Sequence, residues 1–163
     1  MRFKLFTLKK VVASDTKVFS FLKEESRSSS IEDPKFELLR AISKGDEGGA
    51  IHLLAYHDDL LNCSLGYGLT PLLLAASSGQ TKLIKYLLDS GVDVNQVDPI
   101  GQAALHVASV KGHQKVVEYV LTTKGIKINK EHLNSALFMA AAEGYVKIVN
   151  QLLKAGANPN YKY

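Results

Sequence analysis

The sequence predicts an all-α solenoid of about four helix-turn-helix units with projecting finger loops. Three observations carry this. Key residues recur at a nearly constant spacing, each copy holds the same helix-breaking residues at the same places, and each copy has two helical apolar faces. Gly79, Gly112 and Gly144 stand 33 and 32 residues apart, and Leu72, Leu105 and Leu137 repeat those spacings. Leu74-Ala75-Ala76 becomes Val107-Ala108-Ser109 and then Met139-Ala140-Ala141. Leu83-Ile84 and Leu87-Leu88 return as Val116-Val117 and Val120-Leu121, then as Ile148-Val149 and Leu152-Leu153. Asn95 has counterparts at Asn129 and Asn160. A weaker first copy places Leu38, Ala41, Gly45, Leu53-Leu54 and Asn62 at the matching positions.

The chain divides into an arm, residues 1–33, and a repeat domain, residues 34–163, with units over about 36–66, 67–99, 100–132 and 133–163. Within the arm, residues 14–25 read as a short amphipathic helix with Val18, Phe19 and Leu22 on one face, followed by a Ser-rich linker at 26–30. That helix is expected to lie over the first unit's apolar face, because terminal units need capping. A separate partner-binding or membrane-surface arm is the other reading, since the six basic residues within 1–23 accompany Phe3, Leu5, Phe6 and Leu8. Asp33-Pro34 opens the first helix of the weak copy.

The second unit shows the grammar most clearly. Thr70 is a helix N-cap and Pro71 suits the first helical position. Small alanines follow, so that a neighbouring helix can approach closely. Gly79 supplies the left-handed residue that ends the helix. Leu83, Ile84, Leu87 and Leu88 then define one face of a second helix, and Gly91 is its C-cap. Asp98-Pro99 and Gly101 suit a hairpin finger. The third unit carries one extra residue before Gly125. The stretch from Asn129 to Leu137 is two residues shorter than that from Asn95 to Leu105 and has no glycine, which leaves its hairpin geometry open.

These residues resemble the ankyrin repeat. Thr70-Pro71-Leu72, Leu74-Ala75-Ala76, Gly79, Leu87-Leu88, Gly91 and Asp93-Val94-Asn95 follow that family's pattern, and the likeness covers about residues 36–163. Leu73 stands where the family usually has His, and His106 keeps it in the next copy. The resemblance implies a non-catalytic protein-binding module. It also implies a candidate modification site: arrays of this family are substrates of an asparaginyl hydroxylase in animal cells, and Leu87 with Asp93-Val94-Asn95 matches its preference. Asn95 also has a structural role to play, as a short amide that satisfies backbone groups in its loop.

Composition sets limits. The net charge of +4 is modest, and the repeat domain is nearly neutral, with 12 Lys/Arg against 11 Asp/Glu over residues 36–163. That balance argues against a nucleic-acid partner. No run approaches the length of a membrane span. The single cysteine, Cys63, excludes an intrachain disulfide and fits a reducing compartment, so the expected location is the cytoplasm, or the host cytosol for a secreted effector.

The densest set of ligand-type residues is His52, His57, Asp58, Asp59 and Cys63, but its spacing matches no zinc motif, and a solvated loop is expected. No phosphate-binding glycine loop is present. Lys82, Lys85, Lys111 and Lys115 are expected on helix surfaces. No cofactor, metal or catalytic residue is therefore expected.

In an ankyrin array the fingers and inner helices form one concave surface. The positions falling there are Gly66, Tyr67, Leu69, Ser77 and Ser78, then Pro99, Ile100, Gln102, Val110 and Lys111, then Leu133, Ala142 and Glu143. Tyr67, Leu69, Ile100, Gln102, Val110 and Lys111 make the candidate partner-binding set. Apolar groups clustered on an exposed groove mark protein-binding sites. Against this, Leu69 and Ile100 can pack finger against finger. The last unit keeps Ile148, Val149, Leu152 and Leu153 in the internal pattern, so the chain is cut from a longer protein, covered at that face, or ended by a cap that tolerates exposed apolar area. The expected function is binding of a partner protein by a monomer. The alternative is the recognition domain of a larger enzyme or of a secreted bacterial effector that engages host proteins.

Overall fold

The computed structural model describes residues 33–65 and 68–162. The expected arm helix over 14–25 and Tyr67 lie outside the described residues. Among the described residues there are eight α-helices and no strand. They form four hairpins: α1 (Pro34–Lys44) with α2 (Glu47–Tyr56), α3 (Pro71–Ser77) with α4 (Thr81–Asp89), α5 (Ala104–Lys111) with α6 (Gln114–Thr122), and α7 (Lys130–Ala142) with α8 (Val146–Lys154). The helices stack in two layers. The inner layer runs α1, α3, α5, α7 and the outer layer α2, α4, α6, α8, each helix packing on the next of its layer.

Local chemistry sets the inner-helix starts. Asp33 Oδ1 accepts the Lys35 N–H at 2.9 Å, ahead of Pro34. Thr70 Oγ1 accepts the Leu73 N–H at 3.4 Å, ahead of Pro71. Asn129 Oδ1 accepts the Glu131 N–H at 3.0 Å. Each side chain satisfies one of the N–H groups that a helix start leaves unpaired.

The turn within each hairpin is the same object four times. Gly45, Gly79, Gly112 and Gly144 have φ of 76°, 70°, 74° and 78°. The next residue (Asp46, Gln80, His113 or Tyr145) donates its N–H to the carbonyl of Ala41, Ala75, Ala108 or Ala140, at 2.9 Å in every case. This is the six-residue closure that a left-handed glycine permits at a helix C-terminus. It gives the recurring alanine two roles. Its carbonyl closes the turn, and its small side chain admits the neighbouring helix; Ala75, Ala108 and Ala140 are fully buried.

The units are also tied to each other. Gln80 Nε2 donates to the Ile42 carbonyl. His113 Nε2 lies 2.8 Å from the Ser77 carbonyl, and since a carbonyl only accepts, that nitrogen carries the proton. The Tyr145 ring covers Gly112, where an added Cβ would lie 2.8 Å from Cζ. So the residue after each turn glycine reaches back onto the turn of the unit before. Glu47 adds a longer-range tie. Its Oε2 accepts the Lys82 and Leu83 N–H groups at 2.7 and 3.0 Å, capping α4 from the preceding unit. Helices α6 and α8 have no side-chain cap.

Between the layers runs one continuous apolar core. It includes Leu38 and Ile42, Leu83, Ile84 and Leu87, Val116, Val117 and Val120, and Ile148 and Leu152. The second and fourth outer helices end as expected, with Gly91 and Gly156 left-handed and the Val92 and Ala157 N–H groups bonded to the Leu87 and Leu152 carbonyls at 3.1 and 3.0 Å. Ser90, one residue before Gly91, occupies the C-cap position itself. The extra residue of the third unit changes this ending. There the Thr122 and Thr123 hydroxyls donate to the Glu118 and Tyr119 carbonyls at 2.8 and 2.6 Å.

The fingers are not all alike. Between the second and third hairpins, Val97 and Ala103 form an antiparallel bridge, and the Asp98 N–H donates to the Gln102 carbonyl at 3.1 Å. Asp98 Oδ1 accepts the Ile100 and Gln102 N–H groups at 3.0 and 2.8 Å, and Gly101 takes φ 83°. The preceding finger closes with the Leu65 N–H donating to the Leu69 carbonyl at 2.8 Å. No hairpin follows the third unit. Short and without glycine, that stretch folds as helix, so α7 has 13 residues where α3 and α5 have 7 and 8. The last unit leaves Ala141, Ala142, Val146 and Leu153 exposed, and nothing lies within 4 Å of a Cβ built at Gly144.

Two variants test these ties. Glu47→Gln weakens the cross-unit cap and should lower the urea-unfolding free energy by about 0.5–2 kcal/mol, while Glu118→Gln on exposed α6 surface stays within about 0.5 kcal/mol. Equal effects would show that the Glu47 contact contributes nothing particular. Gly112→Ala and Gly144→Ala share a backbone cost of about 1–2 kcal/mol. Gly112→Ala should cost more because Tyr145 must move, and the excess should vanish in a Tyr145→Ala background.

Candidate binding surface

The hairpin over 97–103 presents the most exposed apolar group of the inner side. Ile100 is 50% exposed at its tip and Val97 is 45% exposed on its arm, with Pro99 exposed between them. The bonds to Asp98 hold this tip in one shape, so its side chains are presented at little ordering cost. Around it, Leu69, Val110 and Lys111 are half-buried. Leu69 packs on the core cluster, so it serves the stack while leaving part of its surface open.

Two expected members do not reach the surface. Gln102 is only 3% exposed. It closes the base of the hairpin, bonded to Asp98 through both its N–H and its carbonyl, and its side-chain nitrogen has no hydrogen-bond partner among the described residues. Leu133 is buried as well, because it sits inside the lengthened α7 rather than in a finger. Ala142 is exposed and Glu143 half-buried at the end of that helix. Val97 was not among the expected residues. It precedes Asp98-Pro99 on the arm of the turn, and the alternation of a hairpin arm was the signal that could have found it.

Below the fingers the loops form a hydrogen-bonded ladder. Gln96 Nε2 donates to Asn62 Oδ1 at 2.5 Å. Asn95 Nδ2 donates to the Lys127 carbonyl at 2.8 Å, and Asn95 Oδ1 accepts the Asn129 N–H at 2.8 Å. Both ends of the Asn95 amide are thus used to join the second unit to the third, whereas the Asn129 amide caps its own helix.

His106 lies in the seam between α5 and α7 and is 2% exposed. Its Nδ1 is 3.2 Å from Ser135 Oγ, and that hydroxyl donates to the His132 carbonyl at 3.1 Å. The hydroxyl therefore accepts from His106, which places the proton on Nδ1. Nε2 is left buried without a partner. A second proton there would find no acceptor, and burial, with a smaller effect from His132, lowers the imidazole to about 4.

Cys63 is a free, buried thiol, raised by that burial against the opposing influence of Lys35. Asp58 and Asp59 are exposed in a short 3-10 turn, Asp58–Leu60. Among the described residues, no group of three or more His, Cys, Asp or Glu is placed to hold a metal ion, and no helix is long and apolar enough to cross a membrane.

Stacked helix-turn-helix units with a rigid finger define a repeat protein built to present a surface. Comparison with known proteins gives the family. A family model of ankyrin repeats in three copies matches residues 38–132, and a model of the single ankyrin repeat matches residues 132–162. The chain belongs to the ankyrin-repeat family. It is similar to the E3 ubiquitin-protein ligase hecd-1 of Caenorhabditis elegans, 34% identical over 76% of this chain and 4% of that protein. It is 37% identical to an L-asparaginase of Dirofilaria immitis over 63% of this chain and 17% of that protein. With the probable E3 ubiquitin-protein ligase XBOS32 of rice it shares 34% identity over 71% of this chain and 24% of the other. The matched region is a small part of each of these relatives.

The buried imidazole predicts a pH dependence. The unfolded chain takes up a proton near pH 6.5 and the folded chain near 4, so the contribution of His106 is fully present above pH 6.5 and is lost as the pH falls towards 4. The loss amounts to at most about 3 kcal/mol. His106→Leu, which installs the residue found at the equivalent Leu73, should flatten the unfolding free energy over that window. An unchanged slope would place the titration elsewhere.

Proposed function

We propose that the array is a non-catalytic module that binds a partner protein across its finger tips and inner-helix ends, as a monomer, in the cytoplasm. Ile100 and Val97 form the centre, with Leu69, Val110, Lys111 and, by its place in the sequence, Tyr67 around them. The observation that carries this reading is the braced hairpin holding Ile100, Val97 and Pro99 exposed together. Exposed apolar groups at a tip held in a fixed shape bind a partner at lower entropic cost. The buried, raised thiol of Cys63 fits a reducing compartment.

A second reading makes the array the recognition part of a larger enzyme. It is supported by relatives that carry the matching region within much longer chains, several of them named as enzymes. Sequencing the natural transcript around this reading frame separates the two.

The binding surface is tested with the full chain as bait, capture being quantified by mass spectrometry. Ile100→Glu should reduce capture of the specific partner about fivefold or more, since truncating or charging a central anchor costs about 1–3 kcal/mol. Lys85→Ala on the outer layer should leave capture unchanged. Circular dichroism should show equal helix content in both variants. Normal capture by a folded Ile100→Glu would refute the site, and unfolding of that variant would assign Ile100 to the core.

A further inference from the structure

The near-neutral charge of the array conceals a segregation along its length. Residues 33–98 contain nine Asp/Glu and five Lys/Arg, whereas residues 99–163 contain three Glu, no Asp and eight Lys. On the loop edge this becomes a reversal of sign. The loops of the first two units carry the exposed Asp58, Asp59 and Asp93. The loop of the third carries the exposed Lys124, Lys127 and Lys130, with no acid between Glu118 and Glu131. The ladder shows that these are neighbouring positions on one edge. Asn95, two residues after Asp93, binds both the Lys127 carbonyl and the Asn129 N–H, and Asn95 leads directly into the finger that carries Val97 and Ile100. The finger that would cover this basic stretch is the one replaced by the first turns of α7.

We propose that the segment captured by this surface is an acidic stretch of a protein, with an apolar side chain on Val97 and Ile100 and its carboxylates along Lys124, Lys127 and Lys130. The inference rests on the binding surface proposed above and names the chemistry of its occupant. Three exposed lysines in the loop that Asn95 ties to the base of the finger attract carboxylates. Asp58, Asp59 and Asp93 on the same edge repel the same segment, so it lies over the third and fourth units rather than the first and second. The apolar tip favours a peptide over a nucleic acid, whose backbone would engage lysines alone.

The probe is a fluorescein-labelled peptide of glutamates flanking a central leucine pair, titrated by anisotropy with the full chain at about 50 mM and about 300 mM salt. Binding should weaken at the higher salt. The triple variant Lys124→Glu, Lys127→Glu, Lys130→Glu should weaken it about tenfold or more, each exposed contact contributing modestly and reversal adding repulsion. A triple variant on the outer helices, Lys85→Glu, Lys115→Glu and Lys147→Glu, changes the net charge equally and should stay within about twofold. Unfolding does not mimic the result, because a glutamate at position 130 suits the start of α7 better than a lysine does. Equal losses in both triples would reduce the effect to net charge and overturn the proposal. So would the absence of peptide binding, or tighter binding of a single-stranded oligonucleotide of equal charge. If Ile100→Glu abolishes capture of the natural partner while the loop triple does not, the binding surface stands and the acidic occupant is wrong.

Discussion

The contact on which the array depends is a short reach backwards. After each turn glycine the chain closes on an alanine carbonyl, which aims the next side chain at the turn of the preceding unit. Gln80, His113 and Tyr145 all use that position, by three chemistries: an amide to a carbonyl, an imidazole to a carbonyl, and a ring over a glycine. The left-handed backbone makes the closure possible, and at Gly79 and Gly112 the missing Cβ makes room for the incoming ring. Hairpin orientation within a unit and stacking between units are therefore set at one place. The two helix layers follow from it, and so does the placing of the fingers that lead into α3 and α5.

Polar groups buried in the seams make each interface individual. Glu47 caps a helix of the next unit, so the first seam is held by a charge-assisted bond. His106 is held neutral in the third seam, with one nitrogen satisfied and the other not. A nearest-neighbour solenoid distributes stability over such seams, so acid acting on one histidine loosens the third interface before the others.

What the array offers outwards is set by where its regularity stops. The finger over 97–103 is braced from within by Asp98 and rests on the preceding finger through the Pro99 ring over Gly68, while Val97 and Ile100 stay exposed. The following finger does not form, and the lysines around it are left on an open edge. The local departures from the repeat thus set which side chains this array exposes and where along its edge the charge changes sign.

The repeat was legible because it was written in residues with few alternatives. Glycine at a left-handed turn, proline after a capping threonine and leucine at helical spacing each state a backbone condition by themselves, and so the hairpins, their turns and the core of Leu83, Ile84 and Leu87 followed from sequence alone. The surface was legible only in part. Ile100 reached it, but Gln102 was drawn into the hairpin base by backbone bonds to Asp98, and Leu133 was taken into α7. Period and polarity describe a position within its own unit. Exposure depends on what the adjoining unit places above it, and that was decided by the third dimension: a two-residue deletion became an added helical turn instead of a finger, since a stretch without glycine had no left-handed residue to close a hairpin and could satisfy its backbone only as helix.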